Sequence, residues 1–407
     1  MTRPPAPAAA ASPPVRRQRL RALLARRELV APLQAFAISR MAVLLALYVS
    51  AALLAERPDL PPYHLRGTDS ILVDVLGSRW DSGFYVSIAE EGYRIVGEPF
   101  PSVPFFPLLP LAMRALAPLL GDVVLAGILV SNLCLLGAGL LIFRLVADRA
   151  GPEVAERAVW YLMIFPTSFF GSAIYSESLF LLAAAGSLYL ARRGAWESAA
   201  LLGFLGALSR FVGLLLVPML LLEWWAQRRG GAQPGAGRPP AWGLVAPLAV
   251  AAGSGSYMLY LGWRFGDPLA FLHASAAWGR QPSAPGQLLT GLFARPDGGW
   301  WAALQAGGVP LIALVDLGSL LLFLGLGLLL LRRRRWPEAG LVLSGLLVAA
   351  GSGLLMSQAR YMWVLFPAFL PLAEAARRPW LDRLVTSLSL VLLTLYCALF
   401  ARNYWVG

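Results

Sequence analysis

The chain alternates between long apolar stretches and short breaks that carry arginine. About 20 apolar residues let a helix cross the hydrocarbon core of a bilayer, which is about 30 Å thick. The pattern therefore predicts one all-α, polytopic membrane domain over residues 29–407, preceded by an Arg/Pro-rich cytoplasmic leader at residues 1–28. The apolar runs lie near 29–55, 122–147, 156–173, 177–191, 197–224, 241–265, 310–331, 339–356, 361–376 and 383–401.

The arginine clusters predict which ends of these runs face the cytoplasm. Cytoplasmic loops are enriched in basic residues, and every cluster can lie on that side if run 197–224 turns back on itself. We therefore expect 197–224 to be a hairpin of two short helices bent near residues 209–213, which gives about eleven transmembrane segments in all. The clusters are the leader, Arg192-Arg193, Arg228-Arg229, Arg332 to Arg335 and Arg377-Arg378.

This orientation leaves a long loop, 56–120, and a second loop, 267–309, on the outer side. The first loop far exceeds the usual connection of about 4–6 residues, and loops of that kind are commonly functional. Within it Trp80, Phe84 and Ile88 recur every four residues, the spacing of one helical face. The pattern predicts a helix over 79–91 that lies at the membrane interface, in a loop carrying interfacial helices.

Composition excludes a soluble fold. The chain is 58% hydrophobic and 14% charged, whereas soluble domains are about 45–50% apolar and 25% charged. Its net charge of +12 comes from arginines that flank apolar runs, so we expect membrane lipids and no nucleic acid as partners. Cys134 and Cys397 lie inside apolar runs, which argues against a disulfide or a cysteine metal site.

Several polar residues on the outer side could carry chemistry. Asp81 falls in the first turn of the 79–91 helix, where it could act as a general base or merely complement the helix N-terminus. Arg360, beside Tyr361 at the outer end of a span, could bind a phosphate or anchor the span at the interface. Arg280, after Trp278 in loop 267–309, is a second phosphate candidate, or else a solvated loop arginine.

Three further charges have a structural and a functional interpretation. Asp267 precedes a proline, as an N-cap residue does, but it could also contact substrate. Glu177 opens a span on the outer side, where it could favour the helix N-terminus or face the site. Arg210 lies inside the predicted hairpin, where its charge should have a partner or line a wet cavity, and a buried structural pair is the preferred interpretation.

No Asp-x-Asp stands beside Asp81, and the histidines form no ligand cluster. We therefore expect metal-independent chemistry without a cofactor.

The run Arg79-Trp80-Asp81-Ser82-Gly83-Phe84-Tyr85, with Ile88-Ala89 and Gly92-Tyr93, resembles the signature of the PIG-V mannosyltransferase family. Further ordered motifs extend the likeness over most of residues 79–280, in what looks like a bacterial member of the family. These motifs are Phe105-Phe106-Pro107-Leu108, Phe165-Pro166-Thr167-Ser168, Tyr175-Ser176-Glu177-Ser178, Ser209-Arg210, Gly266-Asp267-Pro268-Leu269 and Trp278-Gly279-Arg280.

This resemblance implies a GT-C-type fold, with the catalytic aspartate in the first outer loop at the position of Asp81. It also implies an inverting mannosyltransferase that uses polyprenyl-phosphate-mannose. In that reaction Asp81 deprotonates a hydroxyl of a lipid, glycan or protein acceptor on the extracytoplasmic side of the cell membrane. The expected donor-phosphate contacts are Arg360, Tyr361 and Arg280, and the expected substrate contacts are Trp80, Tyr85, Glu177, Asp267 and Trp278.

Two alternatives remain open from the sequence. A transporter or flippase of polyprenyl-linked sugars would share the topology and the arginines, although it would not need a base in the first outer loop. A noncatalytic subunit of a glycosylation complex would share them as well. The substitution Asp81→Asn separates transfer from transport.

Overall fold

The fold is an assembly of helices, seen in a computed structural model that describes residues 13–57, 70–95, 100–231, 239–280, 283–284 and 311–406. All regular structure in these ranges is helical. The first 12 residues of the predicted leader, and all but residues 283–284 of the stretch 281–309 in the second outer loop, lie outside the described residues.

The α-helices are numbered in chain order. They are α1 (Pro13–Leu53), α2 (Ile71–Gly77), α3 (Asp81–Glu91), α4 (Leu108–Leu120), α5 (Val123–Ala150), α6 (Pro152–Ile164), α7 (Glu177–Arg192), α8 (Trp196–Ser209), α9 (Leu216–Ala226), α10 (Val245–Phe265), α11 (Ala270–Ala274), α12 (Leu311–Arg332), α13 (Trp336–Ala350), α14 (Gln358–Trp363), α15 (Phe369–Ala375) and α16 (Pro379–Ala401). Short 3-10 turns cover Ser168–Gly171, Phe211–Leu215, Ala241–Leu244, Ser275–Trp278 and Phe366–Ala368, and a π turn covers Gln227–Gly231.

Six helical segments in the described ranges are long and apolar enough to cross a membrane, so the chain is a multi-pass membrane protein. The six segments are Arg27–Leu53, Val123–Ala150, Phe211–Gly230, Ala241–Phe265, Leu311–Arg332 and Pro379–Ala401. The expected count of about eleven is not confirmed. One reason is that apolar runs such as 156–173 are not single helices: α6 ends at Ile164 because Phe165 is extended before Pro166.

Run 197–224 is divided into two helices, as the arginine pattern predicts. Helix α8 ends at Ser209, Arg210 is extended, and a 3-10 turn leads into α9. The turn packs closely on α8, since a Cβ at Gly213 would lie 2.4 Å from the carbonyl oxygen of Gly206. A glycine is therefore required where the chain changes direction.

Helix α3 packs its apolar face on protein, and its place at the membrane interface stays a prediction. Its residues are buried on most sides, and Phe84 and Ile88 belong to a core cluster with Met113 of α4. The Phe84 ring stacks on Phe105 at a centroid distance of 4.5 Å and lies 5.7 Å from Trp278, edge to face. The apolar stripe thus packs on protein from both outer loops instead of facing lipid.

A buried arginine in the first span holds the segment that leads to the candidate site. Arg40 of α1 donates from Nη2 to the Met163 carbonyl at 2.7 Å and from Nη1 to the Ser168 carbonyl at 2.8 Å. A charge within a span needs such polar partners because hydrocarbon offers none. These bonds fix the irregular chain between α6 and α7.

The opposite end of α7 carries a buried ion cluster. Arg192 contacts Glu223 at 3.1 Å and Glu338 at 2.6 Å, and all three side chains are 4% exposed. The cluster therefore joins α7, α9 and α13. Arg192, which entered the topology prediction as a flanking charge, is a buried cross-link.

Candidate active site

One cavity of about 620 Å³ collects most of the residues that the sequence singles out. Its wall draws on α3, the chain after α11, the break between α8 and α9, α13 and α14. Seven of the nine predicted site residues line it: Trp80, Asp81, Tyr85, Trp278, Arg280, Arg360 and Tyr361. Glu177 and Asp267 do not.

The polar end of the cavity is built around an arginine that joins two carboxylates. Arg360 donates from Nη1 to Oδ2 of Asp81 at 2.7 Å, and from Nε to Oε1 of Glu177. The Arg360 side chain is 7% exposed, Asp81 is 16% exposed and Glu177 is fully buried. Asp81 is thus the carboxylate of this pair that the cavity can reach.

Glu177 is a counter-ion and not a cavity contact. Besides Arg360 it pairs with Arg210, whose Nη1 lies 3.1 Å from Oε1 of Glu177. Arg210 also lines the cavity, so the ion pair expected for it from the sequence is present at the edge of the site. Two arginines neutralise Asp81 and Glu177.

Arg280 differs from the other two arginines of the cavity. It makes no ion pair with a carboxylate among the described residues, and its guanidinium lies over the Tyr361 ring, 5.0 Å from the centroid. Cation–π contacts hold a guanidinium without neutralising it. Arg280 therefore supplies the excess positive charge of the cavity.

The backbone before α3 is strained where Asp81 enters the site. Trp80 has φ 53° and ψ −124°, and Ser82 N–H donates to the Arg79 carbonyl at 3.2 Å. This is the geometry of a type II′ turn, whose first central position favours glycine. A bulky residue in such a conformation costs about 1–3 kcal/mol and persists only where its surroundings enforce it.

Those surroundings are polar contacts on both sides of the turn. The Arg79 side chain binds Asp74 at 2.8 Å and Glu56 at 2.5 Å. The backbone N–H of Asp81 donates to the Tyr175 hydroxyl at 3.2 Å. The turn is therefore anchored to α2, to the end of α1 and to the chain before α7.

Tyr175 was not assigned a role from the sequence, although it lies in one of the motifs that carry the family resemblance. Its ring packs under the Arg360 guanidinium at 4.6 Å, and the Phe170 ring does so at 4.9 Å. Tyr175 thus contacts both members of the Asp81–Arg360 pair. The sequence signal for a role of Tyr175 in the site was its position two residues before Glu177, in the same motif.

Tyr85, one turn further along α3, faces the cavity in its protonated form. Its hydroxyl donates to Ser176 Oγ at 2.9 Å. Burial raises the pKa of Tyr85 well above its ordinary value, with the nearby Glu177 charge acting in the same direction. Tyr85 therefore serves as a neutral hydroxyl group.

Asp267 does not line the cavity and lies in the turn that precedes α11. Its Oδ1 accepts from the backbone N–H of Leu269 at 2.9 Å, and its Oδ2 lies 2.7 Å from Nδ1 of His273. The hydrogen bond with His273 lowers the pKa of the Asp267 carboxyl. The N-cap residue of α11 is Leu269, so Asp267 holds the turn before the helix and is not its N-cap; a substrate contact stays a prediction.

Within the described ranges, no three histidine, cysteine, aspartate or glutamate side chains come together as a metal-binding cluster. Metal-independent chemistry remains a prediction.

A cavity that presents a carboxylate beside several arginines, with aromatic rings around them, has the groups that bind small polar or phosphate-bearing molecules. Residues 27–224 match the family model described as Mannosyltransferase (PIG-V). The match covers Trp80, Asp81 and Glu177 and confirms the resemblance drawn from the motifs. This region, just under half of the chain, is similar to the PIG-V mannosyltransferase family.

Solved structures give only distant likenesses. The oligosaccharyltransferase of Archaeoglobus fulgidus in its apo form has a TM-score of 0.44 and 15% identity, over 92% of this chain and 56% of that chain. The oligosaccharyltransferase AglB from Archaeoglobus fulgidus, in complex with an inhibitory peptide and a dolichol-phosphate, has a TM-score of 0.42 and 15% identity, over 91% and 56%. This chain spans little more than half the length of either. A comparison with curated proteins found no match.

Proposed function

We propose that the protein is an inverting mannosyltransferase with the GT-C-type fold that its family implies. It moves mannose from polyprenyl-phosphate-mannose to a hydroxyl of a lipid, glycan or protein acceptor on the extracytoplasmic side of the cell membrane. The observation that carries the proposal is the cavity-lining carboxylate of Asp81, held through Oδ2 by Arg360 at 2.7 Å.

Asp81 is the general base of this reaction. Arg360 occupies Oδ2, so Oδ1 accepts the proton of the acceptor hydroxyl. The acceptor oxygen forms a bond to the anomeric carbon while the bond from that carbon to the phosphate oxygen breaks, and the polyprenyl phosphate leaves with the electron pair. Phosphate is a good leaving group, so the reaction does not depend on a strong general acid. A positioned base of this kind contributes about 10²–10⁴-fold to rate.

Arg280 contacts the phosphate. Both Arg360 and Arg210 are already engaged with carboxylates, whereas Arg280 has no such partner among the described residues. A phosphate gains most from a cation that is not neutralised elsewhere. This reverses the order of importance that the sequence suggested for Arg360 and Arg280, and Arg360 becomes the residue that orients Asp81.

The remainder of the cavity suits a lipid. Beyond the arginines its wall is apolar, formed by Val212 and Leu215 from the break before α9, Val348 of α13 and Leu365 after α14. Apolar walls favour hydrocarbon through the hydrophobic effect. The first isoprenoid units of the donor lie along these residues.

The test is transfer by purified protein in detergent or nanodiscs. Polyprenyl-phosphate-mannose with a radiolabelled sugar is incubated with membrane lipid extracts, and polyprenyl-phosphate-glucose is run in parallel. Label should move from the mannosyl donor to an acceptor and should require the protein. Vesicle-to-vesicle or leaflet-to-leaflet movement of intact donor, without transfer, would favour the flippase alternative and contradict the proposal.

A further inference from the structure

The segment 402–406, beyond the last helix, packs against the chain that precedes the active-site turn. The N–H of Arg57 donates to the Arg402 carbonyl at 3.2 Å, and Arg402 Nη1 donates to the Ala51 carbonyl at 2.8 Å. Val406 is 1% exposed. These contacts hold the segment at the end of α1.

The same segment is joined to the active-site turn through a shared carboxylate. Glu56 accepts a hydrogen bond from Asn403 Nδ2 and binds Arg79, the residue that opens the turn containing Trp80 and Asp81. Segment 402–406 and the turn are therefore positioned by one polar network. This network fixes the position of segment 402–406 relative to the turn and to the cavity beside it.

That residue is Trp405. It lines the cavity, and its ring meets the Trp80 ring edge to face at a centroid distance of 5.1 Å and an interplanar angle of 62°. The guanidinium carbon of Arg360 lies 6.0 Å from the Trp405 centroid. Two indoles thus flank the Asp81–Arg360 pair.

Both indoles also have unused hydrogen-bonding capacity. The Nε1 atoms of Trp80 and Trp405 are buried and have no hydrogen-bond partner among the described residues. Buried donors of this kind are rare and need an explanation, such as an acceptor that arrives with a ligand. A hydroxyl oxygen of a bound molecule would be that acceptor, once small shifts of the two rings bring the N–H groups toward it.

A pyranose ring fits this chemistry. It presents hydroxyl oxygens at its rim and C–H groups on its faces, and tryptophan offers a large apolar ring together with one N–H donor. Pockets for small polar molecules combine aromatic walls with a few placed polar groups in the same way. A sugar seated on the two indoles would be adjacent to the carboxylate of Asp81.

We propose that Trp405, together with Trp80, forms the wall that binds the hexose ring of the donor beside Asp81. The proposal rests on the proposed function, because it assumes a lipid-linked sugar in this cavity. It assigns a substrate contact to segment 402–406, outside the residues that match the family model. Trp405 is therefore a binding residue for the sugar and not for the lipid.

The test compares binding of polyprenyl-phosphate-mannose with binding of unglycosylated polyprenyl phosphate, in nanodiscs, for wild type, Trp405→Ala and Trp405→Phe. Wild type should bind the mannosylated lipid more tightly. Trp405→Ala should weaken that binding by about tenfold or more, and Trp405→Phe by less, while binding of the bare lipid changes by less than about twofold. Tyr404→Ala is the matched control, because Tyr404 is 44% exposed and does not line the cavity.

Retained binding of the bare lipid shows that the Trp405→Ala protein is folded. Equal loss of affinity for both lipids would overturn the assignment, since it would mean that Trp405 supports the structure or the lipid. Unchanged affinity for both would overturn it as well. If the wild-type protein bound the two lipids with equal affinity, that result would contradict the proposed function, and the assignment of Trp405 would fall with it.

Discussion

Arg360 holds Asp81 across 279 positions of the sequence, with Nη1 of the arginine 2.7 Å from Oδ2 of the aspartate. The arginine stands on the short helix α14, and the aspartate begins α3. The contact ties the first outer loop to the C-terminal part of the helical domain. The candidate active site therefore exists only when both parts are folded together.

Replacing Arg360 should cost stability as well as activity. Arg360→Met leaves Asp81 without its cation and leaves Glu177, which is fully buried, with Arg210 alone. Removing one partner of a buried ion pair typically lowers the free energy of unfolding by about 3–5 kcal/mol. Thermal unfolding in detergent measures this.

The matched control for Arg360 is Arg94→Met, which breaks a pair with Glu91 whose side chains are both about half exposed. Such a surface pair is worth at most about 1 kcal/mol. Equal shifts in melting temperature for the two variants would contradict the structural role given to Arg360.

Arg280→Met should affect donor binding with little effect on stability. The side chain makes no ion pair with a carboxylate among the described residues, so its removal breaks none there. Loss of one charge-assisted phosphate contact should raise the KM for the donor by about tenfold or more. Arg280→Lys should restore part of the affinity, because lysine keeps the charge but not the planar fork. A KM unchanged in Arg280→Met would rule out the phosphate contact.

The ion cluster at the other end of α7 gives a prediction about folding alone. Arg192→Met leaves Glu223 and Glu338 buried without their shared arginine, and should lower the free energy of unfolding by about 3–5 kcal/mol. Transfer by the protein that remains folded should keep its KM. The neighbouring variant Arg193→Met removes a half-exposed contact with Asp148 and should change stability by less than about 1 kcal/mol.

Asp267→Asn should leave transfer within about twofold of wild type, because the side chain lies outside the cavity and the asparagine oxygen can also accept from the N–H of Leu269. Its effect is on local stability. The folded pKa of Asp267 is lowered by His273, so the carboxylate stabilises the fold above its unfolded pKa. That contribution is lost as pH falls through the folded pKa. A large loss of transfer at neutral pH in Asp267→Asn would contradict this expectation and support a contact between Asp267 and substrate.

The sequence predicted local features better than distant ones. Trp80, Asp81 and Tyr85 lie within six residues, and the four-residue spacing of Phe84 and Ile88 marked their helix. The spacing could not say what the apolar face packs against, since lipid and protein interior are both apolar. The structure places that face against Phe105 and Trp278.

The sequence pattern could not predict which charged residues pair when they lie far apart in the chain. Arg210 was expected to have a partner, but any of several carboxylates could have served, and only the fold selects Glu177. The span count is not confirmed, for a related reason: run 156–173 is apolar enough to cross a bilayer, yet Pro166 and the polar contacts of Arg40 hold its second half in an irregular path. Trp405 gave no signal, because it lies far from every motif.

The most direct measurement is mannosyl transfer by Asp81→Asn, which keeps the shape of the side chain and removes the base. We expect a rate lower by about 10²–10⁴-fold, with donor binding nearly unchanged. The control is Glu91→Gln, a half-exposed acid at the end of the same helix, which should transfer at the wild-type rate. Transfer by Asp81→Asn within a few fold of wild type would contradict the assignment of Asp81 as the general base.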